Sequence, residues 1–172
     1  MAYVGLALRL TLAAVCLAAV AGKLREPAGF ARMLAEVGVP ARLVPATAAA
    51  VVGTELAVAG LVLWRPAALA GSLLAAGLFA VLTAGVARAV RRGSTASCRC
   101  FGGRGRRFGR DHVVRNATLT VAALAAAAST GWPTPPAGHP AGCAGAVAVA
   151  GLATVTVVFW DDIVVPAQLR KG

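Results

Sequence analysis

Residues 43–64, LVPATAAAVVGTELAVAGLVLW, form an apolar run broken by one charge, Glu55. At 1.5 Å of rise per residue, a run of this length crosses the ~30 Å hydrocarbon core of a bilayer as one helix. It reads as a membrane span, and that reading decides the fold. Trp64-Arg65-Pro66 closes it with a tight turn and sets a tryptophan at headgroup level. Working outward, residues 3–22 form a span before it and residues 67–89 a span after it. Residues 111–130 form a fourth and residues 142–160 a fifth, both rich in small side chains that suit close helix packing in lipid.

Composition agrees with a membrane bundle. The chain has 172 residues, of which 59% are hydrophobic and 13% charged, against about 25% charged in a soluble domain. Between the first two spans, residues 28–37 read as a short amphipathic helix lying along the membrane interface. Ala19-Val20-Ala21 has the small-residue look of a signal cleavage site. The mostly apolar residues before Arg9 do not make a charged start, so the segment reads as a retained span. The expected architecture is an all-α integral membrane protein: a four-helix transmembrane bundle, a fifth C-terminal transmembrane helix and a short interfacial helix. Residues 1–130 make the four-helix domain, and 131–172 add a proline-rich loop, the fifth helix and a polar tail.

The net charge of +11 sits almost wholly beside the spans, which points to anionic lipid and not to nucleic acid. Five spans put the basic segments 23–42, 88–115 and the tail on one side, with Arg65 opposite. The positive-inside rule then sets the amino terminus outside and the 90–110 connector in the cytoplasm.

That connector carries the chemistry. Ser97-Cys98-Arg99-Cys100-Phe101-Gly102-Gly103 places two thiols one residue apart among Arg91, Arg92, Arg99, Arg104, Arg106 and Arg107. A Cys-x-Cys pair closes into a strained, labile disulfide, and neighbouring arginines favour the thiolate that attacks another disulfide. Such a pair suits exchange with a thioredoxin-like partner. Two other readings stay open: half of a metal site, for which only His112 is near in sequence, or two idle loop cysteines. Cys16 and Cys143 stand alone and read as small hydrophobes.

Glu55 is costly at bilayer depth and requires a partner. Arg9 is the candidate, each lying ~9–14 Å from the same face at 1.5 Å per residue. The pair serves either as a structural ion pair or as a proton carrier. Arg9, Cys16 and Lys23 recur every seven residues and share one helix stripe. Arg115 and Asn116 open the fourth span; Asn116 reads as a hydrogen-bonding link between helices or as a ligand-orienting amide.

Several of these residues resemble the MauE methylamine-utilisation family, related to DoxX-like redox-associated membrane proteins. They are Gly22-Lys23-Leu24 with Pro27, Gly29 and Phe30, then Glu55-Leu56, Phe79, Cys98-x-Cys100-Phe101-Gly102 and Arg115-Asn116, over about residues 5–130. The resemblance implies a multi-pass protein of the bacterial cell membrane with a four-helix core tied to thiol–disulfide chemistry. It implies work beside a thioredoxin-like companion on a disulfide-rich client, a quinone-cofactor dehydrogenase subunit. Cys98 and Cys100 then form the dithiol, with Lys23, Glu55, Arg115 and Asn116 as supporting polar residues. A quinone between the helices would serve as electron sink, though no sequence feature marks its site, and no metal is implied. Gly53-Thr54 stands where a proline often precedes the glutamate, and Arg99 where a neutral residue is usual. The competing function is a non-redox membrane assembly protein or small-solute conduit built on Glu55 and Arg9.

Overall fold

Pro27, Pro45, Pro66 and Pro140 each stand in the first turn of a helix, where a missing N–H removes no intrahelical bond. They punctuate the chain into its elements. The computed structural model describes residues 2–92, 97–98, 106–107, 110–131 and 140–160. The helices are α1 (Ala2–Arg25), α2 (Pro27–Glu36), α3 (Val44–Leu63), α4 (Ala68–Arg91), α5 (Arg110–Ala128) and α6 (Pro140–Val158). Five of them, all but α2, are long and apolar enough to cross a membrane. The expected all-α membrane architecture holds, with boundaries within about three residues of those read from hydropathy.

A turn of 3₁₀-helix, Arg65–Ala67, reverses the chain between α3 and α4. The two helices leave it in close contact. A Cβ on Gly71 would stand 2.7 Å from the backbone nitrogen of Val62, so only glycine fits there. Gly71→Ala is expected to push α3 and α4 apart at a cost of about 1–3 kcal/mol, read as a lowered unfolding midpoint in detergent. Unchanged stability would contradict this close approach.

Leu12, Val15 and Cys16 of α1, Val58, Ala59 and Val62 of α3, Ala75 and Phe79 of α4, and Leu119 and Ala123 of α5 close one buried core. The neighbouring helices of this four-helix set run antiparallel. α6 lies outside it and packs chiefly on α1, parallel to it, with Gly142 beside Tyr3. The carboxyl ends of α1 and α4 and the amino ends of α3 and α5 therefore share one end of the bundle, as the five-span reading required. The outer faces carry exposed Leu56, Val81, Val121 and Leu152. In water these would be an aggregation surface; in a bilayer they face lipid.

α2 forms close to the expected position, but its apolar face is used within the protein. Phe30, Met33 and Leu34 are buried against Val44 of α3 and Val86 and Ala89 of α4. The helix thus roofs one end of the bundle. The connector contributes a two-residue antiparallel ladder, β1 (Ser97–Cys98) with β2 (Arg106–Arg107), in which Cys98 opposes Arg106. Arg99, Cys100, Arg104 and the tail from Asp161 lie outside the described residues, as do the side chains of Cys98, Arg106 and Arg107.

Candidate functional site

Glu55 finds its partner in Lys23, not in Arg9. Lys23 Nζ donates to Glu55 Oε1 at 2.6 Å, with the two side chains 3% and 2% exposed. The expected Glu55–Arg9 pair fails on register. The packing of Leu12 and Cys16 with Val58 and Val62 carries Arg9 toward Arg65, whose charge it feels. Arg9 precedes Lys23 by four helical turns, ~21 Å along α1, and its Nε donates instead to the Gly5 carbonyl at 3.3 Å. Equal depth from one membrane face holds only for helices with flush ends, and α1 and α3 are staggered.

Two further side chains frame the pair. The Phe30 ring of α2 lies over Lys23, with Nζ 5.3 Å from the ring centroid, within the range of a cation–π contact. Cys16, 1% exposed, sits near enough to feel the charges of both Glu55 and Lys23. The second carboxylate oxygen, Glu55 Oε2, is buried with no hydrogen-bond partner among the described residues.

α5 brings a second polar group to the same level. His112, Arg115 and Asn116 are all buried, and their i, i+3, i+4 spacing places them on one face. Leu119, one turn further along α5, belongs to the core with Cys16 and Phe79. Val113 packs with Phe30 and Val86 at the roofed end. Lys23 and Glu55 lie between the same two apolar clusters. Five buried polar side chains from three helices, Lys23, Glu55, His112, Arg115 and Asn116, thus occupy one layer beneath α2.

Burial of so much charge is expensive unless it is paired or used. The layer sits at the end of the bundle where α4 stops at Arg91 and α5 begins at Arg110. The connector joining those helices is the segment with the Cys-x-Cys sequence. Of the residues expected to support the dithiol, Lys23, Glu55, Arg115 and Asn116 lie together in this layer, while Arg9 lies at the other end.

Sequence reasoning missed the depth of His112, which it weighed only as a metal ligand near the Cys-x-Cys pair in sequence, and the companionship of Cys16 with the ion pair. The stripe Cys16–Lys23 carried that second signal: residues seven apart share a helix face, so a partner of Lys23 also neighbours Cys16.

The family model described as "Methylamine utilisation protein MauE" matches residues 1–129. That stretch takes in α1 to α5 and the whole polar layer, and ends before α6. No curated protein and no solved structure matches the chain.

Proposed function

The chain belongs to the MauE family of methylamine-utilisation proteins, and on that premise we propose that it is a thiol–disulfide relay or maturation factor of the bacterial cell membrane. Cys98 and Cys100 are its exchanging pair, and a thioredoxin-like protein is its partner. The observation that carries this reading is the polar layer. The bundle buries Lys23, Glu55, His112, Arg115 and Asn116 at the end from which the Cys-x-Cys connector springs.

The exchange balances without any further reactant. A thiolate of the pair attacks the partner's disulfide, forming a mixed disulfide and releasing one partner thiolate. The second cysteine attacks the mixed bond, closing Cys98–Cys100 and freeing the partner as a dithiol. Two electrons pass to the partner; the reverse sequence oxidises it. Arginines around the pair supply positive charge to the attacking sulfur. A disulfide-bearing client receives the result, and the basic flanks hold the connector against anionic lipid. The conduit alternative relied on a Glu55–Arg9 pair, and the Lys23 partnership of Glu55 removes that support.

The test is to trap the intermediate. Cys98→Ser and Cys100→Ser each leave one thiol in the connector. Incubated with a thioredoxin-like protein lacking its own resolving cysteine, its remaining thiol carried as a mixed disulfide with thionitrobenzoate, one of the two variants is expected to displace thionitrobenzoate and accumulate a protein–protein mixed disulfide on a non-reducing gel. Absence of any adduct from either variant would refute the relay.

A further inference from the structure

Two arginines meet at the end of the bundle away from the polar layer. Lys23 and Glu55 fix the register of α1 against α3. From that pair Arg9 lies ~21 Å along α1 and Arg65 ~15 Å along the line of α3, toward the same end. They come near enough for Arg9 to feel the charge of Arg65. Among the described residues neither arginine has an acidic ion-pair partner. The described acids, Glu26, Glu36, Glu55 and Asp111, all lie from the polar layer toward the opposite end.

Arg9 stands ~9 Å inside the span that begins at Tyr3, and a cation at that depth needs an anion or a path to the interface. It takes the path. Its Nε donates to the carbonyl of Gly5, one turn nearer the amino end, and its side chain is only half-buried. The guanidinium thus turns toward the membrane face, and among the described residues this bond engages one of its five N–H donors. Exposed Trp64 marks that face at headgroup level, and Arg65 follows it directly in an exposed turn. Two cations converging there repel, and an anion between them turns that repulsion into attraction to both.

We propose that Arg9 and Arg65 together bind the phosphodiester of an anionic glycerophospholipid whose headgroup carries no ammonium. The Arg9 fork meets two phosphate oxygens, the bidentate geometry that suits guanidinium, and Arg65 supplies the second charge from its turn. A headgroup ammonium would bring a third cation beside the arginines, so a glycerol headgroup is accepted over choline or ethanolamine. Free phosphate offers the same oxygens, but an arginine inside a span is reached from the bilayer. The site lies at the end opposite the basic flanks 23–42 and 88–115, and it does not depend on the thiol chemistry.

The test reconstitutes the full chain in bilayer vesicles with Trp132→Phe and Trp160→Phe, which leave Trp64, beside the site, as the one tryptophan. Phospholipids with brominated acyl chains quench a tryptophan they touch, so quenching by brominated phosphatidylglycerol is compared with quenching by brominated phosphatidylcholine. The chain is expected to favour phosphatidylglycerol ~10-fold, about the worth of one charge-assisted hydrogen bond. Arg9→Met and Arg65→Gln are each expected to bring that preference close to one while helical circular dichroism is unchanged. Arg65 is exposed, so its replacement tests the site without disturbing the core. Millimolar inorganic phosphate is expected to leave the preference intact. Equal quenching by the two lipids, a preference that survives both replacements, or its loss on adding inorganic phosphate would each overturn the proposal.

Discussion

Replacing Lys23 with methionine is expected to destabilise the bundle by about 3–5 kcal/mol, because it strands the Glu55 carboxylate in the interior. The magnitude follows from burial. Both side chains are almost fully shielded, and Oε2 has no hydrogen-bond partner among the described residues. The double variant Lys23→Met with Glu55→Met removes both charges and is expected to recover most of the loss, since apolar replacement of a whole buried pair is often neutral. Denaturant titration in mixed micelles checks both. Strict additivity of the two single effects would contradict the pairing. Arg9→Met, by contrast, removes a side chain that among the described residues bonds only to its own helix, and it is expected to change stability little.

The second large effect concerns activity. Cys98→Ser together with Cys100→Ser is expected to abolish thiol exchange with a thioredoxin-like protein, because no serine oxygen replaces sulfur as nucleophile or leaving group in this chemistry. Cys16 and Cys143 remain in that variant and serve as its internal control. Cys16 is 1% exposed and faces the interior, where no partner protein reaches it. A stopped exchange with an unaltered unfolding midpoint assigns the chemistry to the connector. Retained exchange would move it elsewhere.

The helices were legible in the sequence because hydrocarbon demands long apolar runs, and this chain interrupts them with prolines and arginines at nearly every boundary. The amphipathic pattern of residues 28–37 was equally clear, but not the use of its face. Phe30, Met33 and Leu34 read the same whether they meet lipid or the ends of α3 and α4. The ion pair was half legible. Glu55 announced its need for a cation, whereas the choice between Arg9 and Lys23 depends on the stagger of α3 along α1, which hydropathy does not encode. The resemblance had already grouped Lys23 with Glu55, Arg115 and Asn116, and the buried layer gives that grouping a location. His112 stayed hidden because a histidine at a helix start carries no periodic signal of its own.

The proposed relay depends on how easily the connector sulfurs bridge. A redox titration of Cys98 and Cys100 in glutathione or dithiothreitol buffers, with alkylation and mass analysis at each step, measures that directly. A relay requires a reversible bond with a potential of about −120 to −270 mV, the range of exchanging oxidoreductases. A pair that never bridges, or one that resists reduction below about −300 mV as structural disulfides do, would contradict the account.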